Sequence, residues 1–394
     1  MVKTLVGRYL LFSILGIETL LLPYFLSKDV YGEVEFLKFT VFLAQFALFG
    51  SGTGYVVRFL EPKTSNKVLL TQDFIIMSFL HGLIIGGIIF IFKSWVLAIL
   101  TILAIIAISF ESIIKVREKY LLAMSFKPIL SSILICTLPF MLIYNWNVEK
   151  YLLTAFIIAT AIFIIVIFRC IGKELLNIST FRMNIKDYFQ NISAGFMINI
   201  STAMLFSFFY IDRAIVRNVF PERLGDYSLS YAIMQLTIVA ITTFSYVNLV
   251  EFGKEQSDLT LFKNKVFKAF RQCFVLYIVI GTCSIIFSYG AEKFYNYEAV
   301  FETTTLMVGL FGFANVMSSL NAAHLYLGTI NKMAILMLGF FILSIILNFT
   351  ISYSTPESYY LLLGKTYGLY LLFSLVSCLY ISFKLHFVVK NTEV

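Results

Sequence analysis

Apolar and polar residues alternate along this chain on the scale of whole helices. Apolar runs centre on residues 5–26, 36–57, 68–92, 95–114, 129–144, 151–171, 188–211, 227–250, 266–288, 300–323, 333–352 and 359–383, with short polar stretches between them. A helix of about 20 apolar residues, rising 1.5 Å per residue, spans the ~30 Å hydrocarbon layer of a bilayer. An open strand would leave its N–H and C=O groups without partners in lipid, so the twelve runs are predicted to be transmembrane helices. The first run is too long for a signal-peptide core and no small-residue cleavage site follows it, so it is read as a retained span. The least apolar connector, from Gly172-Lys173-Glu174 to Lys186-Asp187, divides the runs six and six. This predicts an N-terminal lobe over 1–178 and a C-terminal lobe over 179–394.

Composition removes the other fold classes. With 60% of 394 residues hydrophobic and 13% charged, a water-soluble chain is excluded. The connectors are too short to hold a large catalytic head, so the chain is read as not an enzyme. The net charge of +8 comes from Lys and Arg scattered among apolar runs, without the contiguous basic face that nucleic acid requires. Most of these cations fall in the alternate connectors that include both termini, from Lys3 and Arg8 through Lys115, Arg117, Lys119 and Lys127 to Lys384 and Lys390. Basic residues are held back in the cytoplasm during insertion, so both termini are expected there. The five cysteines lie in or beside apolar runs with neither metal-ligand nor disulfide spacing, and read as buried small apolar residues.

The halves carry a faint repeat. Residues 32–59 laid on 225–252, at a constant offset of 193, match at Gly32/Gly225, Leu43/Leu236, Ala47/Ala240, Val57/Val250 and Phe59/Phe252. Both segments follow an acidic turn, begin with Gly and form the second span of their half, and duplicated halves are a transporter architecture.

Phe209-Tyr210-Ile211-Asp212-Arg213-Ala214-Ile215, followed by Leu224-Gly225-Asp226-Tyr227-Ser228-Leu229-Ser230-Tyr231, resembles the polysaccharide-exporting branch of the multidrug/oligosaccharidyl-lipid/polysaccharide exporter superfamily, and within it the Wzx-type O-antigen flippases. Leu22-Pro23, Tyr31-Gly32-Glu33 and Tyr55-Val56-Val57-Arg58-Phe59 are similar to that family's N-terminal pattern. The first span offers Glu18-Thr19 where the drug-efflux branch carries Asp. The resemblance implies two six-helix lobes around a central cavity in a bacterial inner membrane. It implies alternating access that moves undecaprenyl-diphosphate-linked repeat units between leaflets, with no cofactor beyond a proton or sodium gradient. Its implied partners are membrane lipids and the polymerase and chain-length regulator of the same pathway. A small-molecule efflux transporter of the superfamily is the alternative. A polytopic glycosyltransferase or polymerase would need a larger outer loop than Asp212–Asp226 or Tyr289–Ala299 provides.

A cavity for a diphosphate sugar needs cations and hydrogen-bonding side chains on inward helix faces. Arg8, Lys38 and Arg213 are the cationic candidates. Asn191, Asn199, Thr202 and Tyr210 share a stripe of the seventh span, and Tyr231 and Gln235 share one of the eighth; hydrogen bonding between packed helices would place polar residues the same way. Glu18, deep in the first span, has no neighbour one turn away to neutralise it, so it either meets a cation on another helix or faces water, and is the candidate for ion coupling. His81 is a second coupling candidate, with a neutral ring bonded to a neighbouring helix as its other reading. Asp212 is taken as a helix-end pair with Arg213, and Glu111 with Lys115 as a pair one turn apart. Gly50-Ser51-Gly52-Thr53-Gly54 lacks the Lys of a phosphate loop and predicts close helix packing or a bend.

Overall fold

The computed structural model describes residues 2–60, 67–117, 119–175, 185–254, 259–321, 323–324, 327–351, 355 and 357–392, and the statements below concern these. The expected lobe boundary at 178/179 lies outside them, as do the side chains of Arg8, Thr202 and Cys170. Among the described residues every element is helical: α1 Val2–Phe25, α2 Lys28–Phe42, α3 Ala44–Ala47, α4 Ser51–Leu60, α5 Lys67–Phe92, α6 Trp95–Lys115, α7 Tyr120–Ala123 and α8 Phe126–Ile143. There follow α9 Val148–Leu175, α10 Ile185–Val219, α11 Leu224–Lys254, α12 Leu259–Tyr295, α13 Val300–Met307, α14 Phe313–Ser318, α15 Ile330–Thr350 and α16 Glu357–Thr392. A π-helical turn, Val308–Gly312, joins α13 to α14 into one rod. Eight helices are long and apolar enough to cross a membrane by length and composition.

Local chemistry sets the ends. Ser94 opens α6 by accepting a hydrogen bond from the Leu97 N–H at 3.1 Å. Asn145 and Asn296, at φ 49° and 58°, terminate α8 and α12 in the left-handed region that Asn tolerates better than most residues. The run at 36–57, expected as one span, is α2, α3 and α4 in series, and between α3 and α4 Phe49 (φ 49°) and Gly50 (φ 82°) turn the chain out of the helical region.

The glycine cluster then makes a crossing. A Cβ on Gly54 would lie 1.7 Å from the Asn191 carbonyl oxygen, and one on Gly195 would lie 2.0 Å from that of Gly50. Hydrogen alone fits there, and α4 and α10 meet backbone to backbone.

The chain forms two compact units, one of Met1–Leu26 with Glu33–Ala203, the other of Ser27–Gly32 with Met204–Val394. The division falls within α10. In the first unit α5 packs on α6, α6 and α8 on α9, and α1 on α8. In the second, α11 packs on α12 and α13, and α14 and α15 on α16. Large apolar side chains face outward, Ile91 at 74% and Phe349 at 88% exposed, as a lipid-facing surface requires. The same reasoning corrects the cysteines: Cys273 is buried, but Cys136 and Cys283 are exposed, because a small apolar side chain in a bilayer gains nothing by turning inward.

Candidate functional site

Charged side chains inside apolar helices must be paired or wetted, and each unit contains such a cluster. In the first unit Glu18 on α1 is 3% exposed. The Lys38 ammonium on α2 donates to Glu18 Oε1 at 2.7 Å and to Glu35 Oε1 at 2.5 Å. The Ser131 hydroxyl on α8 donates to the other Glu18 oxygen. Of the two possibilities left open for Glu18, a cation on another helix is the one observed, and both carboxylate oxygens are engaged. Glu111 and Lys115 pair at 2.7 Å on the half-exposed side of α6.

The remaining candidates of this unit make helix-to-helix bonds. His81 Nδ1 lies 2.8 Å from the Tyr188 hydroxyl on α10, which reaches the Ser51 hydroxyl at 3.3 Å, and Phe49 stacks on the imidazole. Asn191 accepts from Arg58 Nη1 at 2.9 Å, and Asn199 donates to the Phe46 carbonyl at 3.2 Å. Arg58 also donates to the Asp187 carbonyl at 2.6 Å and to Asp187 Oδ1 at 2.8 Å, locking α4 to α10 beside the glycine crossing. Arg58→Ala should therefore lower stability by about 1.5–3 kcal/mol, the range for hydrogen bonds to a charged group, with Arg58→Lys recovering only part. Thermal unfolding of the detergent-solubilised protein reads this; equal melting of Ala and wild type would dismiss the clamp.

In the second unit the seventh apolar run does not end at Asp212, since α10 continues to Val219. Asp212 (1% exposed) and Arg213 (2%) are buried, and the expected pairing with each other is replaced by partners from other helices. Asp212 Oδ1 accepts from the Thr366 hydroxyl at 2.7 Å and lies 3.7 Å from the Lys365 ammonium, both on α16. Lys365 also donates to Asn348 Oδ1 on α15. The Arg213 guanidinium sits over the rings of Tyr231, 4.2 Å from its centre, and Tyr227, at 5.5 Å. Tyr227 and Tyr367 hydroxyls meet at 3.3 Å. Tyr210 and Gln235 are half-buried. Lys365, not among the candidates above, is a lone Lys inside the last apolar run and so carries the same signal in the sequence as Glu18.

The repeat glycines also find a role in this unit. A Cβ on Gly32 would lie 2.8 Å from Leu224 Cγ, and one on Gly225 would lie 2.7 Å from the Lys28 carbonyl oxygen. Next to this contact Lys28 pairs with Asp226 at 2.8 Å and Arg223 with Asp226 at 3.4 Å. Burial pushes the Asp226 carboxyl up from its ordinary value, against the pull of Lys28 and Arg223. Among the described residues no group of three or more His, Cys, Asp or Glu could hold a metal ion.

No protein-family model matches the chain, and no curated protein matches its sequence. Solved structures do match. One is an outward-facing multidrug resistance MATE family transporter of the MOP superfamily: 12% identity, TM-score 0.63, covering 98% of this chain and 93% of that one. A second is a MOP superfamily transporter from Pyrococcus furiosus, described as having a binding pocket of reverse polarity that suggests a different function: 14% identity, TM-score 0.61, covering 97% and 93%. A third is the MATE multidrug transporter DinF-BH: 14% identity, TM-score 0.64, covering 96% and 92%. At these identities the likeness shows the fold. The chain has an all-α, multi-pass membrane fold like that of the MATE transporters, a fold of twelve helices in two lobes.

Proposed function

We propose that the protein is an ion-coupled membrane transporter that exports small organic molecules. The observation that carries this reading is the likeness to multidrug transporters over nearly the whole chain. The buried ionic clusters support it, since charge inside apolar helices is costly and is characteristic of substrate and ion pathways. The shortness of the connectors favours transport over glycosyl transfer. The distribution of Lys and Arg supports cytoplasmic termini for this transporter.

The second reading, export of a diphospholipid-linked sugar repeat unit, is favoured by two buried cations in one unit, Arg213 and Lys365, which suit an anionic cargo. One experiment separates the two: delete the gene, then measure tolerance to a panel of toxic organic compounds and profile lipid-linked intermediates by mass spectrometry. A several-fold loss of tolerance, restored by the wild-type gene, is expected. Unchanged tolerance with accumulation of unpolymerised diphospholipid-linked repeat units would replace efflux by the flippase reading.

A further inference from the structure

Two of the four buried acids among the described residues, Glu18 and Asp212, fall at nearly equivalent positions when the offset of the repeat is carried beyond its matched segments. The offset of 193 sets Glu18 against Ile211, one residue before Asp212. Each acid receives a hydroxyl and approaches a lysine, but their satisfaction differs. Glu18 has a donor on each oxygen, with Lys38 at 2.7 Å. Asp212 has its hydroxyl partner and its more distant lysine on Oδ1, and Oδ2 is enclosed with no hydrogen-bond donor among the described residues.

A carboxylate oxygen removed from water without a donor bears the full cost of its lost hydration, and a proton on that oxygen removes the charge that causes the cost. The surroundings tolerate this neutralisation. Lys365 donates to Asn348 Oδ1, so it keeps a polar partner when Asp212 is neutral. Arg213, the next residue, lies over the faces of Tyr231 and Tyr227. The ionisable groups around Asp212 are thus Arg213 on its own helix, Tyr227 and Tyr231 on α11, and Lys365 and Tyr367 on α16.

We propose that Asp212, rather than Glu18, is the acid that takes up and releases a proton, and that Lys365 shifts its weight between Asp212 and Asn348 as the proton comes and goes. Asp212 Oδ2 gains the proton, the carboxylate loses its charge, and the Lys365 ammonium remains charged on the Asn348 side. Glu18, by contrast, has both oxygens occupied, by Lys38 and Ser131. The use of this proton to drive export rests on the transporter reading; proton uptake itself is measured without cargo.

The test is infrared titration of the purified full-length protein in lipid nanodiscs, following the carbonyl band of a protonated buried carboxylic acid. As pH falls, a band should grow in the wild type, persist in Glu18→Gln and be missing in Asp212→Asn. Lys365→Gln keeps Asp212 and removes its nearest cation, so the band should appear at a pH higher by roughly 1–3 units. Should Asp212→Asn fail to fold, the Lys365→Gln shift decides alone. A band that survives in Asp212→Asn, disappears in Glu18→Gln or does not move in Lys365→Gln overturns the assignment, as does a wild type with no band while it remains folded. A protein that titrates at Asp212 yet exports nothing would instead overturn the transporter reading and leave this one standing.

Discussion

Alanine at position 54 should prevent stable folding of the first unit. The added methyl would lie 1.7 Å from the Asn191 carbonyl oxygen and 2.6 Å from its carbon, and both are backbone atoms of a helix that cannot rotate aside. Overpacking a core ordinarily costs about 1–3 kcal/mol, where side chains can shift to absorb it. Here the helices themselves must separate, which also pulls Arg58 from Asp187 and Asn191. Three glycines provide an internal scale. At Gly52 the new methyl meets the Ser112 hydroxyl at 2.7 Å, the end of a side chain that can turn, and at Gly87 it meets nothing within 4 Å. Size-exclusion profiles and melting temperatures should rank Gly54→Ala far below Gly52→Ala, with Gly87→Ala near wild type. A Gly54→Ala protein that melts with wild type would show that α4 and α10 do not cross this closely.

The second large effect belongs to Lys38. Its ammonium is the shared cation of Glu18 and Glu35, so Lys38→Met leaves two carboxylates facing each other with no positive charge between them. Removing one partner of a buried pair typically costs about 3–5 kcal/mol, because the remaining charge is left uncompensated. Glu18→Gln should be much milder, since Lys38 keeps Glu35 and Ser131 keeps an oxygen acceptor. The combination Glu18→Gln, Glu35→Gln and Lys38→Met, which removes every charge at once, should recover most of the loss. Melting temperatures of the four proteins test the asymmetry; equal destabilisation by Lys38→Met and Glu18→Gln would mean that the cluster is not organised around the lysine.

Much of the architecture is legible in the chain because lipid enforces it. Twelve apolar runs separated by short polar connectors leave helices as the only way to satisfy the backbone, whatever their neighbours are. A charge deep in such a run is conspicuous for the same reason, which is why Glu18 stands out without any alignment. Its need for either a cation on another helix or water is equally local, because no residue one turn away can neutralise it.

What the chain does not reveal is which helix supplies the partner. Lys38 and Glu18 are distant enough in sequence that no periodicity links them, and Asp212 with Lys365 more so; only the fold sets Lys38 of α2 beside Glu18 of α1, and Lys365 of α16 beside Asp212 of α10. The polar stripe of α10 shows the same limit. Its spacing is compatible with lining a cavity or with binding a neighbouring helix, and side-chain contacts alone distinguish these, with Asn191 bonded to Arg58 and Asn199 to the Phe46 carbonyl. The glycine cluster announces a close approach but not its counterpart, since a missing Cβ permits contact with any backbone. Sequence determined the helical class and the residues that must be neutralised, because those follow from transfer of single segments into lipid. Tertiary structure decided the pairings, because hydrogen bonds and salt bridges need their groups within about 3–4 Å and so depend on which segments the fold sets side by side.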